Sequence, residues 1–136
     1  EIIIEEMSPL AVWCYNDCYF IDKDGVIFGQ PEEPFKLAII RGGRDSKSPL
    51  SKEEATFILE LWQEIKETVN IKEVYVKENE IDLITNEKWI IKTISSEKSS
   101  LQAEKLRLVL NEKISEQKRK ELEYIDLRFE NSVYYR

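Results

Sequence analysis

Residues 122–136 read LEYIDLRFENSVYYR and carry the clearest secondary-structure signal of the chain. Side chains there alternate with the two-residue period of a half-buried strand. The alternation places Ile125, Leu127 and Phe129 on the core side, and Tyr124, Asp126 and Arg128 on the other side. We expect Asp126 and Arg128 to form cross-strand pairs rather than to contact a ligand.

A short polar turn at residues 130–132 follows, and residues 132–136 begin a second strand. Val133 and Tyr135 fall on one side of it, and Tyr134 and Arg136 on the other. The strand is rich in β-forming residues and no later segment of this sequence covers it. We therefore expect it at a sheet edge, with its outer N–H and C=O groups free.

Two amphipathic helices are predicted upstream, over residues 52–69 and 101–114. The first begins at a capping box, in which Ser51 and Glu54 satisfy each other's free N–H groups. The mixed-charge run after residue 114 is expected to be a solvated helix end. Side chains expected to be buried across both helices and the C-terminal strand are Leu59, Trp62, Ile65, Leu106, Val109, Leu110, Ile125, Leu127 and Phe129.

The other segments are predicted to be short strands. Three antiparallel strands are expected between residues 71 and 91, because the hydrophobic period there is two. In the first part of the chain, strands are predicted at residues 2–5, 11–15, 18–21, 26–28 and 37–40. This order predicts an α+β fold, in which two helices pack on one face of a mostly antiparallel sheet with an edge strand at the C-terminus.

The composition fits one globular domain, since 42% of the 136 residues are hydrophobic and 35% are charged. A formal net charge of -7 repels phosphate backbones, so no nucleic-acid partner is expected. The sequence has no His, the commonest general base and metal ligand. No stretch approaches the roughly 20 apolar residues that cross a bilayer, so any anchor is expected outside this sequence.

Several patterns superficially suggest chemistry. Residues 42–45, GGRD, lack the spacing and the Lys of a phosphate loop, and residues 22–25, DKDG, lack the remaining ligands of a calcium loop. The carboxylate pairs at 32–33 and 53–54 are interpreted as solvated charges. Two Cys without His leave a zinc site half filled and a thiol nucleophile without its usual base. We predict no catalytic residue, cofactor or metal, and therefore not an enzyme.

Three motifs resemble the bacterial cell-division family called FtsQ or DivIB. Residues 6–13, with the pattern E-x-x-P-x-A-x-W, and residues 19–28, YFIDKDGVIF, are similar to the family's junction between its POTRA and β domains. The Y-I-D-L-R-F strand, the short turn and the V-Y-Y that follow are similar to the end of the β domain. The resemblance implies that residues 1–13 are the last strand of a truncated POTRA domain and that residues 14–136 are the β domain.

The resemblance further implies a non-catalytic extracytoplasmic scaffold of the divisome at the division septum. Its partners would be coiled-coil proteins of the FtsB/DivIC and FtsL type, and an N-terminal helix outside this sequence would anchor it in the membrane. In the family, the C-terminal strand holds the FtsB/DivIC-type partner, with aromatic residues that match Phe129 and lie near Tyr135.

We expect the partner to dock as an added strand, the mode called β-augmentation. Exposed aromatic side chains beside the edge would supply specificity, because they bury large areas at low entropy cost. The plain alternative is that the tyrosines only complete the sheet. The candidate partner-binding residues are Phe129, Asn131, Ser132, Val133, Tyr134, Tyr135 and Arg136.

Cys14 and Cys18 are predicted to form a disulfide. Their three-residue separation places them on the two strands of the first hairpin, where facing Cβ atoms come within bonding range. An extracytoplasmic location would let the bond persist.

A different functional class stays open. A carbohydrate- or peptidoglycan-binding domain could use Trp13, Trp89 or Tyr134 as sugar-stacking platforms. That function would require two aromatic side chains exposed on one concave face.

Overall fold

A nine-stranded sheet with helices against one face organises the described part of the chain. The computed structural model describes residues 2–4, 8–15, 17–32, 37–42 and 50–136. In chain order the elements are β1 (Ala11–Tyr15), β2 (Asp17–Ile21), β3 (Ile27–Phe28), β4 (Ala38–Gly42), α1 (Lys52–Ile65), β5 (Ile71–Lys77), β6 (Glu80–Thr85), β7 (Ile90–Ile94), α2 (Ser99–Glu112), α3 (Glu116–Arg119), β8 (Tyr124–Phe129) and β9 (Ser132–Tyr135).

The strand order is β3-β2-β1-β4-β5-β6-β7-β8-β9, which places β9 at one edge. Neighbouring strands are antiparallel except at the joins β1–β4, β4–β5 and β7–β8. A parallel join needs a crossover, and α1 supplies it between β4 and β5, while α2 and α3 supply it between β7 and β8. The predicted α+β class, the mostly antiparallel sheet and the C-terminal edge strand are confirmed.

The register separates two faces of the sheet. A row of paired residues beneath the helices crosses β1, β4, β5, β6, β7 and β8, and every member is at most 2% exposed: Trp13, Ile40, Val74, Leu83, Ile91 and Ile125. We call this side the helix face. The adjacent row lies on the opposite side, which we call the open face, and consists of Cys14, Arg41, Tyr75, Asp82, Lys92, Asp126 and Tyr134.

Helix α1 begins at the predicted capping box. The Glu54 N–H donates to Ser51 Oγ at 3.0 Å, and the Ser51 N–H donates to Glu54 Oε1 at 3.3 Å. The helix ends at Ile65, earlier than the predicted end at residue 69, because residues 66–68 form a turn. Helix α2 begins two residues before its predicted start. The mixed-charge run after it forms the separate short helix α3, whose N-cap is Ser115.

Burial agrees with the prediction for Ile65, Leu106, Val109, Leu110, Ile125 and Leu127. Leu59 and Trp62 are only partly buried, so that part of the prediction is wrong. Phe57 and Leu61 of α1 are buried instead, at 6% and 0% exposure, because the buried stripe is rotated about the helix axis from the predicted one. Phe129 was also predicted to be buried and is exposed, because of the geometry of β8.

The first residues also differ from the prediction. Residues 2–4 carry no secondary structure, and their isoleucine side chains are exposed, so the predicted strand does not form there. The predicted strand at 37–40 is β4, displaced to Ala38–Gly42. The predictions made for residues 5 and 16 and for residues 43–45 lie outside the described residues.

Candidate partner-binding edge

Strand β9 presents its outer side to solvent, since no strand within the described ranges pairs with it there. The Arg136 N–H donates to the Tyr124 carbonyl at 3.1 Å, and the Tyr124 N–H donates back at 3.2 Å. Bonded and non-bonded pairs alternate along antiparallel strands. The N–H and C=O groups of Val133 and Tyr135 therefore point away from β8 and form the free edge.

A β-bulge interrupts β8 opposite this edge. The register shifts between Asp126 and Phe129, so that Leu127 and Arg128 together lie opposite Val133. The extra residue reverses the alternation, and Phe129 turns away from the helix face. At 47% exposure, Phe129 contradicts the predicted burial, because a strict two-residue period takes no account of a bulge.

Side chains from α2 hold the bulged segment. The Lys105 ammonium donates to the carbonyls of Leu127 at 3.0 Å and Phe129 at 2.7 Å, and it pairs with Glu97 at 2.7 Å. The Gln102 amide donates to the same Leu127 carbonyl at 2.9 Å and to Glu97 at 2.6 Å. Neither residue was predicted from the sequence as part of the site. The available signal was two polar side chains, three residues apart, on the side of α2 that carries Leu106.

Phe129 and Tyr134 form an exposed aromatic pair on the open face. Their ring centroids lie 5.1 Å apart, with the rings nearly perpendicular at 83°. Tyr134 is 55% exposed, and the Arg128 guanidinium lies 5.9 Å from the Phe129 ring centre. Such a pair offers a large apolar area in a fixed orientation beside the free edge.

Arg128 is fixed by two carboxylates. It binds Asp126 through Nε and Nη2 at 2.9 and 2.8 Å, and it donates from Nη1 to Glu80 at 3.1 Å. Burial raises the pKa of the Asp126 carboxyl, but the hydrogen bonds and the charge of Arg128 outweigh burial and hold that pKa below its ordinary value. The expected cross-strand pairing is thus present with Glu80, and the stronger contact lies within β8 itself.

The seven candidate residues separate into groups. Phe129 and Tyr134 come together on the open face, whereas Tyr135, at 40% exposure, and the partly buried Val133 lie on the helix face. Arg136 forms an ion pair with Glu123 at 3.5 Å. The remaining candidates, Asn131 and Ser132, are exposed at the hairpin turn.

At the other end of the sheet, Cys14 and Cys18 are paired residues of β1 and β2. Their sulfur atoms are bonded at 2.03 Å, and their Cα atoms lie 4.1 Å apart. The bond closes the first hairpin on the open face.

The other residues that suggested chemistry in the sequence have structural roles. The Asp22 carboxylate accepts from the N–H groups of Asp24 and Val26, both at 2.9 Å, which stabilises a turn. Among the residues with assigned positions, no group of three or more His, Cys, Asp or Glu side chains could hold a metal ion. Trp13 and Trp89 are fully buried, so neither can be one of the sugar-stacking platforms that the alternative function would require.

None of the described helices is long and apolar enough to cross a membrane.

The structure is an α+β domain, and its candidate site is the free edge of the sheet at β9. The chain matches the family model described as "Cell division protein FtsQ/DivIB, C-terminal" over residues 11–128. That match covers most of the sequence, so the chain belongs to the FtsQ/DivIB family of cell-division proteins. The domain boundary predicted after residue 13 falls within β1 and remains a prediction, and β9 lies beyond the matched range.

A solved structure has a similar fold. It is the major extracytoplasmic domain of the trans isomer of the bacterial cell-division protein DivIB from Geobacillus stearothermophilus. The TM-score is 0.54 at 11% sequence identity, over 82% of this chain and 99% of that chain. No curated protein sequence matches this chain.

Proposed function

We propose that this domain is a non-catalytic scaffold of the bacterial divisome and that it binds an FtsB/DivIC-type partner through β9. The observation that carries the proposal is the free edge, where the main-chain groups of Val133 and Tyr135 point outward beside the Phe129–Tyr134 pair. A segment of an FtsB/DivIC-type or FtsL-type partner would add a strand there by β-augmentation.

The two parts of the edge would contribute differently. Each main-chain hydrogen bond to the added strand contributes roughly 0.5–1.5 kcal/mol net and depends little on the partner's sequence. Selectivity would come from apolar partner side chains that cover Phe129 and Tyr134 on the open face and Tyr135 on the helix face. The edge fixes where the partner lies, and the aromatic rings select it.

Family membership places the chain in cell division. The extracytoplasmic face of the membrane and the division septum are the locations we propose. They fit the extracytoplasmic origin of the similar DivIB domain and a disulfide between Cys14 and Cys18. We further propose that the full-length protein is anchored by an N-terminal helix outside this sequence. Peptidoglycan binding is not proposed, because two of its three stacking platforms, Trp13 and Trp89, are fully buried.

The test removes one outward N–H. Val133→Pro lacks that donor, and Val133→Ala is the matched control, because it also loses the valine side chain but keeps the N–H. The probe is the extracytoplasmic segment of the FtsB/DivIC-type protein encoded in the same genome, and its affinity is measured by titration calorimetry. We expect Val133→Pro to bind at least about tenfold more weakly than Val133→Ala, from the lost bond and the disturbed strand.

Circular dichroism and thermal melting of both variants establish that the domain is folded. Tyr134→Ala adds an independent measurement, since it removes half of the aromatic pair and leaves the outward groups in place. Equal affinity of Val133→Pro, Val133→Ala and the parent domain would exclude docking at this edge.

A further inference from the structure

On the side away from β9, the end of β8 is held by hydrogen bonds from a helix side chain and not by a neighbouring strand. Strand β7 pairs with β8 only as far as Asp126, opposite Lys92. Beyond that pair, the carbonyl groups of Leu127 and Phe129 accept hydrogen bonds from Lys105 of α2. The ammonium group therefore takes the place of a neighbouring strand at the bulged segment.

The Lys105 side chain is only 11% exposed and the Glu97 side chain 15%. An ammonium group has three N–H donors, and the three contacts of Lys105 are the two carbonyl groups and the Glu97 carboxylate. A largely buried charge is tolerated when it is paired and hydrogen-bonded in this way. The geometry thus accounts for a lysine at this position of the packed side of α2.

We propose that Lys105 is a positioning residue that holds the β8 bulge and so keeps Phe129 on the open face beside Tyr134. Its effect on partner binding rests on the proposed function. Without the bulge, the regular alternation of β8 would place Phe129 on the same side as Leu127, toward the helices. The free edge would then lack one ring of the aromatic pair.

The first test needs no partner. Lys105→Met keeps much of the apolar stem and removes the three donors. Arg107→Met is the matched control, because it removes the same charge from the same helix. In the parent protein Arg107 donates to the Glu64 carbonyl and not to β8. By NMR, we expect Lys105→Met to lose the contacts between the Phe129 and Tyr134 rings. Hydrogen exchange at residues 127–129 should accelerate by about tenfold or more, while Arg107→Met retains the parent values.

A second variant covers the case in which Lys105→Met does not fold, because the largely buried Glu97 keeps its hydrogen bond from Gln102 but loses its counter-charge. Lys105→Met combined with Glu97→Gln has no unpaired charge. It still lacks the Lys105 donors to both carbonyls, and only the bond from Gln102 to the Leu127 carbonyl remains. We expect the same loss of the ring contacts in this folded variant. Lys105→Arg retains donors and should restore the contacts. Unchanged ring contacts and exchange in the double variant would overturn the proposal.

The second test measures whether Lys105 acts through Phe129. Affinity for the FtsB/DivIC-type segment is measured for the parent, Lys105→Met, Phe129→Ala and both substitutions together. We expect each single substitution to weaken binding by roughly tenfold, and the combined variant to bind no more weakly than Phe129→Ala. Additive losses would overturn the proposed route through Phe129.

The two proposals fail in different ways. If Val133→Pro binds as tightly as Val133→Ala, the edge is not the docking site and the proposed function fails. The NMR comparison of Lys105→Met with Arg107→Met still decides whether Lys105 holds the bulge. If the edge variants weaken binding but Lys105→Met binds like the parent, the positioning role in binding is wrong and the edge proposal stands.

Discussion

The indole of Trp13 lies against Gly42 so closely that a Cβ at position 42 would come within 2.6 Å of Trp13 Cη2. Trp13 is fully buried on the helix face, and Gly42 lies on the neighbouring strand β4. The missing side chain at residue 42 thus leaves the space that the fully buried Trp13 ring occupies. The packing of β1 against β4 depends on that space.

We predict that Gly42→Ala lowers the free energy of unfolding by about 1–3 kcal/mol, because the added methyl group overpacks the core. Urea denaturation followed by circular dichroism measures the change. In a Trp13→Phe background the ring atoms nearest residue 42 are absent, so the same glycine substitution should cost much less. Equal costs in both backgrounds would show that the indole is not the obstacle.

Two aspartates of one row on the open face should respond to pH with opposite sign. Asp126 has a pKa below its ordinary value of 3.8, because its bonds to Arg128 outweigh the effect of burial. Its stabilising contribution is present above the unfolded pKa and is lost as pH falls through the lower folded pKa. We expect Asp126→Asn to lower the free energy of unfolding at pH 7 by roughly 1.5–3 kcal/mol and to have little effect in strong acid.

Asp82 has a pKa above its ordinary value, because burial disfavours its carboxylate more than Lys77, Lys92 and Arg128 favour it. Its contribution is therefore most favourable below the unfolded pKa and becomes unfavourable as pH rises through the folded pKa. We expect Asp82→Asn to maintain or raise stability at pH 7. Urea denaturation of both variants at neutral and strongly acidic pH tests this, and a loss at Asp82 equal to that at Asp126 would contradict it.

Much of the fold follows from local pattern in the sequence. The two-residue period identified the strands from β5 to β9, and the capping box at Ser51 placed the start of α1 correctly. The parallel joins could not be read in this way, because the side-chain period is the same in parallel and antiparallel strands. The position of β4 between β1 and β5 depends on long-range pairing.

In the candidate site, too, some features follow from the local sequence and others depend on distant residues. The edge position of β9 was predictable from composition and alternation, whereas the exposure of Phe129 was not. A bulge is a two-against-one mismatch between strands, so it is defined by the partner strand and by the groups that satisfy its carbonyls. Here those groups come from Lys105 and Gln102, which lie 22 to 25 residues away along the chain.

Arg119 should not be replaceable by lysine. Its guanidinium binds both oxygens of Glu87 at 2.8 and 2.7 Å and also donates to the Thr68 carbonyl at 2.8 Å. These bonds tie α3 to two loops, and a single ammonium group cannot reproduce the fork. We expect Arg119→Lys to lower the free energy of unfolding by about 1 kcal/mol, measured by thermal melting. Lys118→Arg is the control on the same helix, and an equal loss there would contradict the role of the fork.

The bond between Cys14 and Cys18 should be present in the purified protein and should act on stability without acting at β9. Under non-reducing conditions we expect the intact mass to be lower by two hydrogen atoms and iodoacetamide to label neither thiol. Reduction should lower the free energy of unfolding by an amount near the lower end of about 2–4 kcal/mol, because the closed loop is short. The double variant Cys14→Ala with Cys18→Ala should match the reduced protein.

Because β1 and β2 lie at the other end of the sheet from β9, affinity for the FtsB/DivIC-type segment should be unchanged while the reduced domain remains folded. Labelling of both thiols in the folded, unreduced protein would contradict the disulfide, and a loss of affinity on reduction would show that the two ends of the sheet are coupled.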